Sequence, residues 1–379
     1  MSAVERVSSP GRAAPADSAS VAPSPRAGGT ADDDILLQVT GLTVARKDAP
    51  SVHIVDDVSF TLRRGEAMGL AGESGCGKTT TALAVLGLLP GGLRRVSGEL
   101  VFHGGGRARP LHRLGGAAMR RIRWASISMI FQGAMNALDP VKTVGSQIAE
   151  AITLHEPKVG RTAVSRRVGE LLDQVGVPAK RSVYYPHEFS GGQKQRIMIA
   201  LALACRPELV IGDEPTTALD VITQAQILDL LGELRRELGL SLLLITHDLA
   251  VLAQACETIA VMYAGQIVET GSVDTVYRDP QHPYTARLLD LLGAHDAPGT
   301  LPKPIPGNQP RPNARPSGCR FRDRCTFATD RCAAEAPDLR VIGEGLLPHA
   351  ARCHFAPWPD GAVDRPDRSD RLDGQEVAP

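Results

Sequence analysis

Hydrophobic positions along this chain of 379 residues alternate between short continuous runs and segments with helical spacing. The continuous runs are typical of buried strands, and they lie at Glu66–Ala71, Leu209–Gly212 and Leu242–Ile245. The segments with helical spacing are Thr79–Leu88, Gly191–Ala204 and Ile222–Leu238. Strands that alternate with helices favour a mostly parallel sheet covered on both faces, so the sequence predicts an α/β fold.

The pattern is less regular before and between these elements. Ile35–Val39 and the alternating segment Val58–Leu62 predict two further strands. Gly91–Gly116 is rich in Gly and Arg, which predicts a surface loop or a strand edge. Residues 143–185 are predicted to be mostly helical, with one helix near Thr162–Gln174.

Changes in composition suggest the domain boundaries. Residues 1–33 contain few large apolar side chains and are predicted to form a disordered tail. Residues 34–292 carry the strand and helix pattern, and a boundary is expected near Leu292–Gly299. Residues 293–357, richer in Pro, Arg and Cys, predict a small C-terminal extension, and residues 358–379 a second disordered tail.

The charge balance argues against some classes of partner. Lys and Arg together number 42, as do Asp and Glu, so no net charge attracts nucleic acid, and aromatic residues make up only 4% of the chain. No apolar run approaches the roughly 20 residues that cross a bilayer. We therefore expect a soluble cytoplasmic protein that does not bind nucleic acid.

A glycine-rich loop connects the first buried strand to the helix that follows it. The sequence GESGCGKT at positions 72–79 fits the phosphate-binding pattern G-x-x-x-x-G-K-[ST]. In this pattern backbone N–H groups surround phosphate oxygens, Lys78 reaches the β- and γ-phosphates, and the Thr79 hydroxyl binds Mg²⁺. The residues predicted to bind ATP here are Gly72, Ser74, Gly75, Cys76, Gly77, Lys78, Thr79 and Thr80.

Polar side chains follow three other apolar runs. Asp213 and Glu214 come at the end of one strand, and ligands bind at such carboxyl ends in parallel sheets. Asp213 is predicted to hold Mg²⁺, and Glu214 to orient and deprotonate the attacking water. His247 closes a second strand and is predicted to contact the γ-phosphate, and Gln132 follows a third. Taken alone, each of these residues could equally be structural.

The segment FSGGQ at positions 189–193 resembles the LSGGQ signature of ABC-type ATPases. Ser190 with Gln193 is also a capping box that opens a helix, and both roles can hold together because a helix N-terminus binds phosphate. The phosphate loop, Gln132, the signature, Asp213-Glu214, the sequence ALD ending at Asp220, and His247 follow one another in the superfamily's order. The chain is therefore identified as resembling the ABC ATPases.

The resemblance implies a nucleotide-binding domain with a mostly parallel core sheet, an antiparallel β subdomain and a helical subdomain at about residues 133–190. It also implies that two such domains pair head to tail, so that each ATP lies between one phosphate loop and the other domain's signature. The resemblance assigns the signature in trans to Ser190, Gly191, Gly192 and Gln193, the dimer loop to Asp220, Mg²⁺ to Thr79, Gln132 and Asp213, and catalysis to Glu214 and His247. One departure concerns adenine: the aromatic residue that the family places after Thr43-Val44 is replaced by Ala45-Arg46-Lys47, so either Arg46 stacks on adenine instead or adenine is held loosely.

The C-terminal third resembles one subgroup of this superfamily. The sequences HPYT at 282–285, IPG at 305–307 and GCRFRDRC at 318–325 are similar to the C-terminal extension of oligopeptide and dipeptide importer ATPases, a group that includes some nickel importers. The resemblance covers about residues 35–355.

Four cysteines lie in this extension: Cys319, Cys325, Cys332 and Cys353. Their spacing is wide for a structural zinc site and does not match ferredoxin patterns. The family resemblance favours a [4Fe–4S] cluster, and the surrounding arginines suit an anionic thiolate cluster. Zinc, or free reduced cysteines, remain alternatives.

The resemblance implies an ATP-hydrolysing subunit that powers uptake of oligopeptides or dipeptides from the cytoplasmic face of the membrane. Its partners would be two transmembrane permease subunits, a second related ATPase and an extracytoplasmic binding protein. Import of nickel or another small solute is an alternative. A soluble ABC ATPase acting on nucleic acid is a second one, disfavoured by the zero net charge and the single cassette.

Overall fold

The computed structural model of this chain describes residues 34–133, 137–217, 219–293, 305–342 and 348–358. Of the residues in the two predicted tails, only Trp358 is among the described residues. Part of the expected boundary near Leu292–Gly299 also lies outside them, as does Ala218. None of the helices in the part that the structure describes combines the length and apolarity needed to cross a membrane.

Twelve strands are present in the described ranges: β1 (Ile35–Arg46), β2 (His53–Arg63), β3 (Ala67–Ala71), β4 (Leu93–Phe102), β5 (Arg109–Pro110), β6 (Ile127–Ile130), β7 (Leu209–Asp213), β8 (Ser241–Thr246), β9 (Thr258–Tyr263), β10 (Gln266–Ser272), β11 (Arg340–Val341) and β12 (Ala350–Ala351). Their α-helices are α1 (Lys78–Val85), α2 (Gly116–Ile122), α3 (Val144–His155), α4 (Arg161–Gln174), α5 (Gly191–Ala202), α6 (Val221–Leu238), α7 (Leu249–Ala255), α8 (Val273–Arg278), α9 (Pro283–Gly293) and α10 (Asp330–Ala334).

An eight-stranded sheet with the order β11-β12-β10-β9-β3-β8-β7-β6 forms the centre of the fold. Strands β9, β3, β8, β7 and β6 are parallel, whereas β10, β12 and β11 add in antiparallel fashion. The carboxyl ends of β3, β8, β7 and β6 therefore lie next to one another at one edge, as the sequence pattern predicted. Strands β7 and β8 end at Asp213 and Thr246, each one residue beyond its predicted end.

Alternate side chains of the central strands enter two different cores. In β3, Met68 and Leu70 pack toward a second sheet, whereas Ala67 and Ala71 face the helices. This alternation follows from the two-residue period of a strand. Both faces are apolar, which explains why the strands have continuous hydrophobic sequences.

The second sheet is antiparallel and has the order β2-β1-β4-β5. The prediction that Gly91–Gly116 is a surface loop or strand edge was wrong for its first half, because β4 lies inside this sheet and pairs with both β1 and β5. Gly and Arg are common in β4, yet Leu100 and Phe102 are buried and hold the strand in place. Helix α2 covers the end of the same segment.

Helices α3 and α4 lie within the segment predicted to be the helical subdomain. Thr143 caps α3 by accepting a hydrogen bond from the Ser146 N–H, and apolar positions at helical spacing bury one face. Short 3₁₀ turns at Ala179–Val183 and Pro186–Glu188 lead into α5.

The C-terminal segment packs directly on the cassette. Strand β12 pairs with β10, and Phe321 makes a buried aromatic cluster with Tyr263 and Tyr284, whose ring centroids lie 5.2 and 5.5 Å from its own. Trp358, placed by prediction in the C-terminal tail, instead packs on Phe327 and donates its indole N–H to the carbonyl of Gln281 at 2.8 Å. Aromatic burial of this kind supplies stabilisation that neighbouring polar residues cannot.

Candidate functional site

The predicted phosphate loop follows β3 and begins α1. Gly72, Gly75 and Gly77 all have positive φ, at 143°, 83° and 112°, so the loop has a backbone path that other residues rarely follow. A Cβ at Gly72 would lie only 2.2 Å from the carbonyl oxygen of Met262. The path turns successive N–H groups toward the N-terminus of α1, where an anion is stabilised.

Lys78 is buried at the start of this helix. Its Nζ donates to the carbonyl oxygens of Gly72 at 2.6 Å and Glu73 at 3.1 Å. These carbonyls hold the ammonium group inside the loop, where it can reach a bound phosphate. Ser74 and Gly75 are exposed, whereas Cys76 and Gly77 are buried beneath the loop.

Thr79, in the first turn of α1, and Asp213, at the end of β7, come together. The Thr79 hydroxyl donates to Asp213 Oδ1 at 3.0 Å. Burial raises the pKa of Asp213, and the adjacent Glu214 adds to this, although the Thr79 hydrogen bond opposes it. A hydroxyl and a carboxylate at the end of a sheet are oxygen ligands of the kind that Mg²⁺ prefers.

Glu214 lies at the centre of a polar network at the sheet edge. Its carboxylate accepts hydrogen bonds from Gln132 Nε2 at 2.7 Å and from the Thr217 hydroxyl at 3.0 Å, and it lies 3.0 Å from His247 Nδ1. Burial acts against ionisation, but the hydrogen bonds from His247 and Thr217 outweigh it, so the pKa of Glu214 lies below its ordinary value. The structure therefore brings the predicted residues Gln132, Glu214 and His247 together around one carboxylate.

The backbone of Glu214 is strained. Its φ is 48°, in the left-handed region that residues other than glycine rarely adopt. The N–H of Glu214 donates to the carbonyl of Ile245 at 2.8 Å, which continues the pairing of β7 with β8 past the end of the strand. Strain that the surroundings maintain is typical of functional positions.

The signature lies at the N-terminus of α5, and its residues Ser190 and Gln193 cap that helix. Ser190 Oγ accepts from the Gln193 N–H at 3.3 Å, and the Gln193 side chain accepts from the Ser190 N–H at 3.2 Å, which completes the predicted capping box. Ser190 is exposed, and among the described residues its hydrogen bonds join it to its own helix and not to the phosphate loop. Gly191 and Gly192 leave the N–H groups at this end of the helix accessible.

Asp220 and Gly192 both lie next to Thr223. Asp220 caps α6 by accepting from the N–H of Thr223 at 2.9 Å and from its hydroxyl at 2.7 Å. These bonds lower the pKa of Asp220, the backbone hydrogen bond contributing most. A Cβ at Gly192 would lie 2.7 Å from the Thr223 methyl carbon. Asp220, which was predicted to lie in a dimer loop, and the signature are thus linked through one threonine.

The segment Ala45-Arg46-Lys47, which lacks the aromatic residue that the family stacks on adenine, borders a surface depression of about 340 Å³. Arg46, Lys47 and Ile54 are among its lining residues. The guanidinium of Arg46 donates to both carboxylate oxygens of Asp48, at 2.9 and 2.5 Å. This pair is exposed, so Arg46 is anchored beside the depression with its planar face available for stacking.

The four C-terminal cysteines converge on one cavity. Cys319, Cys325, Cys332 and Cys353 line a space of about 10 Å³ together with aromatic side chains that include Phe321 and Trp358. All four are free thiols, and burial raises the pKa of Cys325 and Cys353 to about 11. Among the described residues, no group of three or more His, Cys, Asp or Glu side chains is arranged to hold a metal ion.

Sequence reasoning missed two side chains that anchor the phosphate loop. Arg324 donates to both carboxylate oxygens of Glu73, at 2.7 and 2.9 Å, and the Tyr284 hydroxyl accepts from the Glu73 N–H at 2.9 Å. Arg324 lies between cysteines in the segment GCRFRDRC, and Tyr284 in HPYT, so both belonged to sequences noted only as subgroup markers. No local pattern indicates that either residue contacts a loop more than 200 positions away.

Two family models match this sequence. One, described as ABC transporter, matches residues 55–217. The other, described as oligopeptide/dipeptide transporter, C-terminal region, matches residues 268–332. The first range includes the phosphate loop, the signature and Glu214, and the second includes Tyr284, Arg324 and three of the four C-terminal cysteines.

Individual proteins resemble this chain over a longer range than either family model. The dipeptide transport ATP-binding protein DppD of Escherichia coli (strain K12) is 44% identical over 327 residues, which cover 84% of this chain and 96% of DppD. The oligopeptide transport ATP-binding protein OppD of Mycobacterium tuberculosis is 45% identical over 322 residues, 84% of this chain and 51% of OppD. The solved structure of cbiO1 from Clostridium perfringens, part of the ABC transporter complex cbiONQ, covers 68% of this chain and 95% of its own, with 27% identity and a TM-score of 0.56.

Proposed function

This chain belongs to the ABC transporter family of ATP-binding proteins, ATPases coupled to transport, and we propose that it powers uptake of dipeptides or oligopeptides. The observation that carries the peptide assignment is the second match, to the C-terminal region of oligopeptide and dipeptide transporters at residues 268–332. The near-complete coverage of a dipeptide transport protein supports the same substrate class.

ATP hydrolysis in this proposal depends on the polar network at the sheet edge. Glu214 accepts the proton of the attacking water, and its lowered pKa keeps it ionised for that task at neutral pH. His247, 3.0 Å away, keeps the carboxylate oriented and contacts the γ-phosphate. Gln132 donates to the same carboxylate, so a change at the γ-phosphate reaches the segment that follows Gln132.

Phosphate binding depends on the loop and the start of α1. The N–H groups of the loop surround the β- and γ-phosphates, and Lys78 exchanges a carbonyl partner for a phosphate oxygen. Mg²⁺ would be held by Thr79, Asp213 and Gln132, and when bound it neutralises charge that develops on the phosphate oxygens. The hydrogen bond between the Thr79 hydroxyl and Asp213 Oδ1 supports this assignment, because it brings two of the three proposed ligands within 3.0 Å of each other.

A second ATPase subunit completes each site. Ser190 is exposed at a capped helix end, Gly191 and Gly192 beside it are half-buried, and the hydrogen bonds of Ser190 in the described residues do not join it to the phosphate loop of its own chain. They therefore bind the γ-phosphate of the ATP held by the partner, with Asp220 at the dimer contact. The partner is a second, related ATPase.

The remaining components follow from the importer assignment. Two permease subunits provide the path through the membrane, and an extracytoplasmic binding protein delivers the peptide. The chain binds the permeases from the cytoplasmic face, as a peripheral subunit. The helical segment between Gln132 and the signature, which contains α3 and α4, carries the movement to them.

The four-cysteine cavity fits a [4Fe–4S] cluster in its donors. Four free thiols and several aromatic side chains line one space. The wide sequence spacing of the four cysteines disfavours a structural zinc site. The cavity of about 10 Å³ requires the thiols to move apart, and Cys319, Cys325, Cys332 and Cys353 would be the ligands.

Reconstitution tests the transport proposal. The chain, its partner ATPase and the permeases are placed in liposomes with the binding protein, and uptake of labelled dipeptides and of Ni²⁺ is compared. We expect ATP-dependent peptide uptake that Lys78→Ala abolishes. Uptake of Ni²⁺ but not of peptides would overturn the peptide assignment, and stimulation of ATP hydrolysis by DNA or RNA without any transport would overturn the importer assignment.

Metal analysis tests the cluster separately. Protein purified without oxygen should contain about four iron atoms per chain with acid-labile sulfide. Cys325→Ser should lose the iron, while Cys256→Ser, a free cysteine outside the cavity, should keep it. Zinc, or the absence of metal and sulfide, would contradict the cluster and leave the ATPase assignment unchanged.

A further inference from the structure

Glu73, in the phosphate loop, is held from outside the loop by two residues of the C-terminal third. Its carboxylate is bound in bidentate fashion by Arg324, and its N–H is bound by the Tyr284 hydroxyl. The Glu73 carbonyl oxygen in turn accepts from Lys78 Nζ at 3.1 Å. Glu73 therefore links Arg324 and Tyr284 to Lys78, the lysine proposed to bind phosphate.

The Arg324 guanidinium is enclosed. Its side chain is only 6% exposed, and it also donates to the carbonyl of Pro306 at 2.8 Å and lies over the Tyr263 ring at 5.7 Å. The hydrogen bonds to Glu73, which outweigh burial, raise the pKa of Arg324, so the cation is permanent. A planar guanidinium fixed on a carboxylate by two parallel bonds restrains both position and orientation.

We propose that Arg324 and Tyr284 are positioning residues for the phosphate loop, so that the C-terminal segment forms part of the ATP site. This inference rests on the proposed ATPase function. Arg324 acts in two ways: it fixes the loop in its phosphate-binding shape, and it neutralises a carboxylate that would otherwise repel the triphosphate. Tyr284 fixes the same residue through its backbone.

The position of Arg324 extends the consequence to the cysteine cavity. Arg324 directly precedes Cys325, and Arg320, which directly follows Cys319, donates to the carbonyl of Ala264 at 2.7 Å and pairs with Asp56. Two cysteines of the cavity are thus adjacent in sequence to arginines that contact the cassette. A change in the shape of the cavity would move the residue that holds the phosphate loop.

Steady-state kinetics of the full chain assembled with its partner ATPase, together with ATP binding by the full chain, test the proposal. Arg324→Gln should raise the KM for ATP about tenfold and change kcat less than about twofold, because it weakens binding of ATP and leaves Glu214 in place. Arg324→Lys should show an intermediate rise of about threefold, since it keeps the charge but not the planar fork. Tyr284→Phe should also raise KM, because it leaves the Glu73 N–H without its partner. Equilibrium binding of a fluorescent ATP analogue should follow the same order.

A matched control separates positioning from a general loss of stability. Arg235 makes a bidentate pair with Glu257 at 2.8 and 2.5 Å, within the cassette and away from the loop. Arg235→Gln should lower the thermal midpoint without raising the KM for ATP. An equal rise in KM for Arg235→Gln and Arg324→Gln would overturn the proposal.

A double mutant tests whether Arg324 acts through Glu73. In a Glu73→Gln background, Arg324→Gln should cause no further rise in KM, because the interaction is already broken. A full tenfold rise in that background would contradict the inference. If Arg324→Gln gives no folded protein, Arg324→Lys and Tyr284→Phe decide the question alone: unchanged KM in both overturns it. A wild-type chain that binds no ATP would instead refute the proposed function.

Discussion

His247 Nδ1 lies 3.0 Å from Glu214 Oε1, and the two residues end neighbouring strands of the central sheet. The carboxylate is largely buried, with a side chain 10% exposed, whereas the imidazole is 56% exposed. One end of the pair therefore faces the interior and the other faces the space in which nucleotide binds. Gln132 and Thr217 complete the contacts of the carboxylate.

Replacing Glu214 by Gln should stop turnover while leaving ATP bound. Gln keeps the shape of the side chain but cannot accept a proton, so the hydrolysis rate should fall about 10²–10⁴-fold. ATP should then persist in a closed pair of subunits, measured as retained nucleotide after gel filtration. Glu237→Gln, on the exposed face of α6, serves as the control and should turn over normally. Unchanged turnover in Glu214→Gln would contradict the role of Glu214 as the general base.

Replacing Ser190 by Ala should reduce hydrolysis more than its loss of stability explains. Ser190 and Thr143 each cap a helix by accepting an N–H hydrogen bond at 3.3 Å. Ser190→Ala and Thr143→Ala should therefore each cost about 1 kcal/mol of stability, measured by urea denaturation.

Only Ser190→Ala should impair ATP hydrolysis, because in the proposed pairing its hydroxyl also contacts the ATP held by the partner subunit. In mixed pairs, a Ser190→Ala chain should reduce hydrolysis at the site whose phosphate loop belongs to the other chain. Equal activity of the two alanine variants would argue against a role in trans.

Two glycines of the phosphate loop should differ in their tolerance of Ala. A Cβ at Gly72 would lie 2.2 Å from a backbone carbonyl oxygen, and that atom cannot move away without disturbing β9. Gly72→Ala should cost about 3 kcal/mol or more. At Gly75 nothing lies within 4 Å of the added atom, so only the positive φ opposes it and the cost should be about 1 kcal/mol. Chemical denaturation of the two variants compares these values, and an equal cost would contradict the steric argument.

Asp56 should stabilise the protein in a pH-dependent way. Burial raises the pKa of Asp56, but hydrogen bonding and charge from Arg320 outweigh it, so the pKa lies below its ordinary value of 3.8. A lowered pKa means that the folded state favours the carboxylate, so the stabilisation is complete above pH 3.8 and is lost as the pH falls through the folded-state pKa.

Asp56→Asn should accordingly lower the free energy of unfolding by a constant amount between about pH 5 and 7. The difference from wild type should shrink below pH 3.8. Asp274→Asn, which removes an exposed pair with Arg278, should have almost no effect at any pH. A difference between Asp56→Asn and wild type that grows toward acid pH would contradict the assigned direction of the pKa.

The site could be predicted largely because its residues carry local signals. The glycines of the phosphate loop need positive φ, and the capping box of Ser190 and Gln193 is contained within four consecutive positions. Asp213 and Glu214 lie at the end of β7, His247 follows β8 and Gln132 comes shortly after β6, and parallel pairing brings these ends together. By contrast, β4 was missed because a strand rich in Gly and Arg depends for its stability on pairing with β1 and β5.

The sequence by itself determined the α/β pattern, the phosphate loop and the signature, because each depends on periodicity or spacing within a few residues. Only the tertiary structure decided that Glu214 is bound by Gln132, Thr217 and His247, and that Arg324 holds Glu73 across 251 positions. Such contacts depend on how distant elements pack. Hydrogen bonds between side chains leave no periodic pattern in the sequence, so the folded chain is needed to find them.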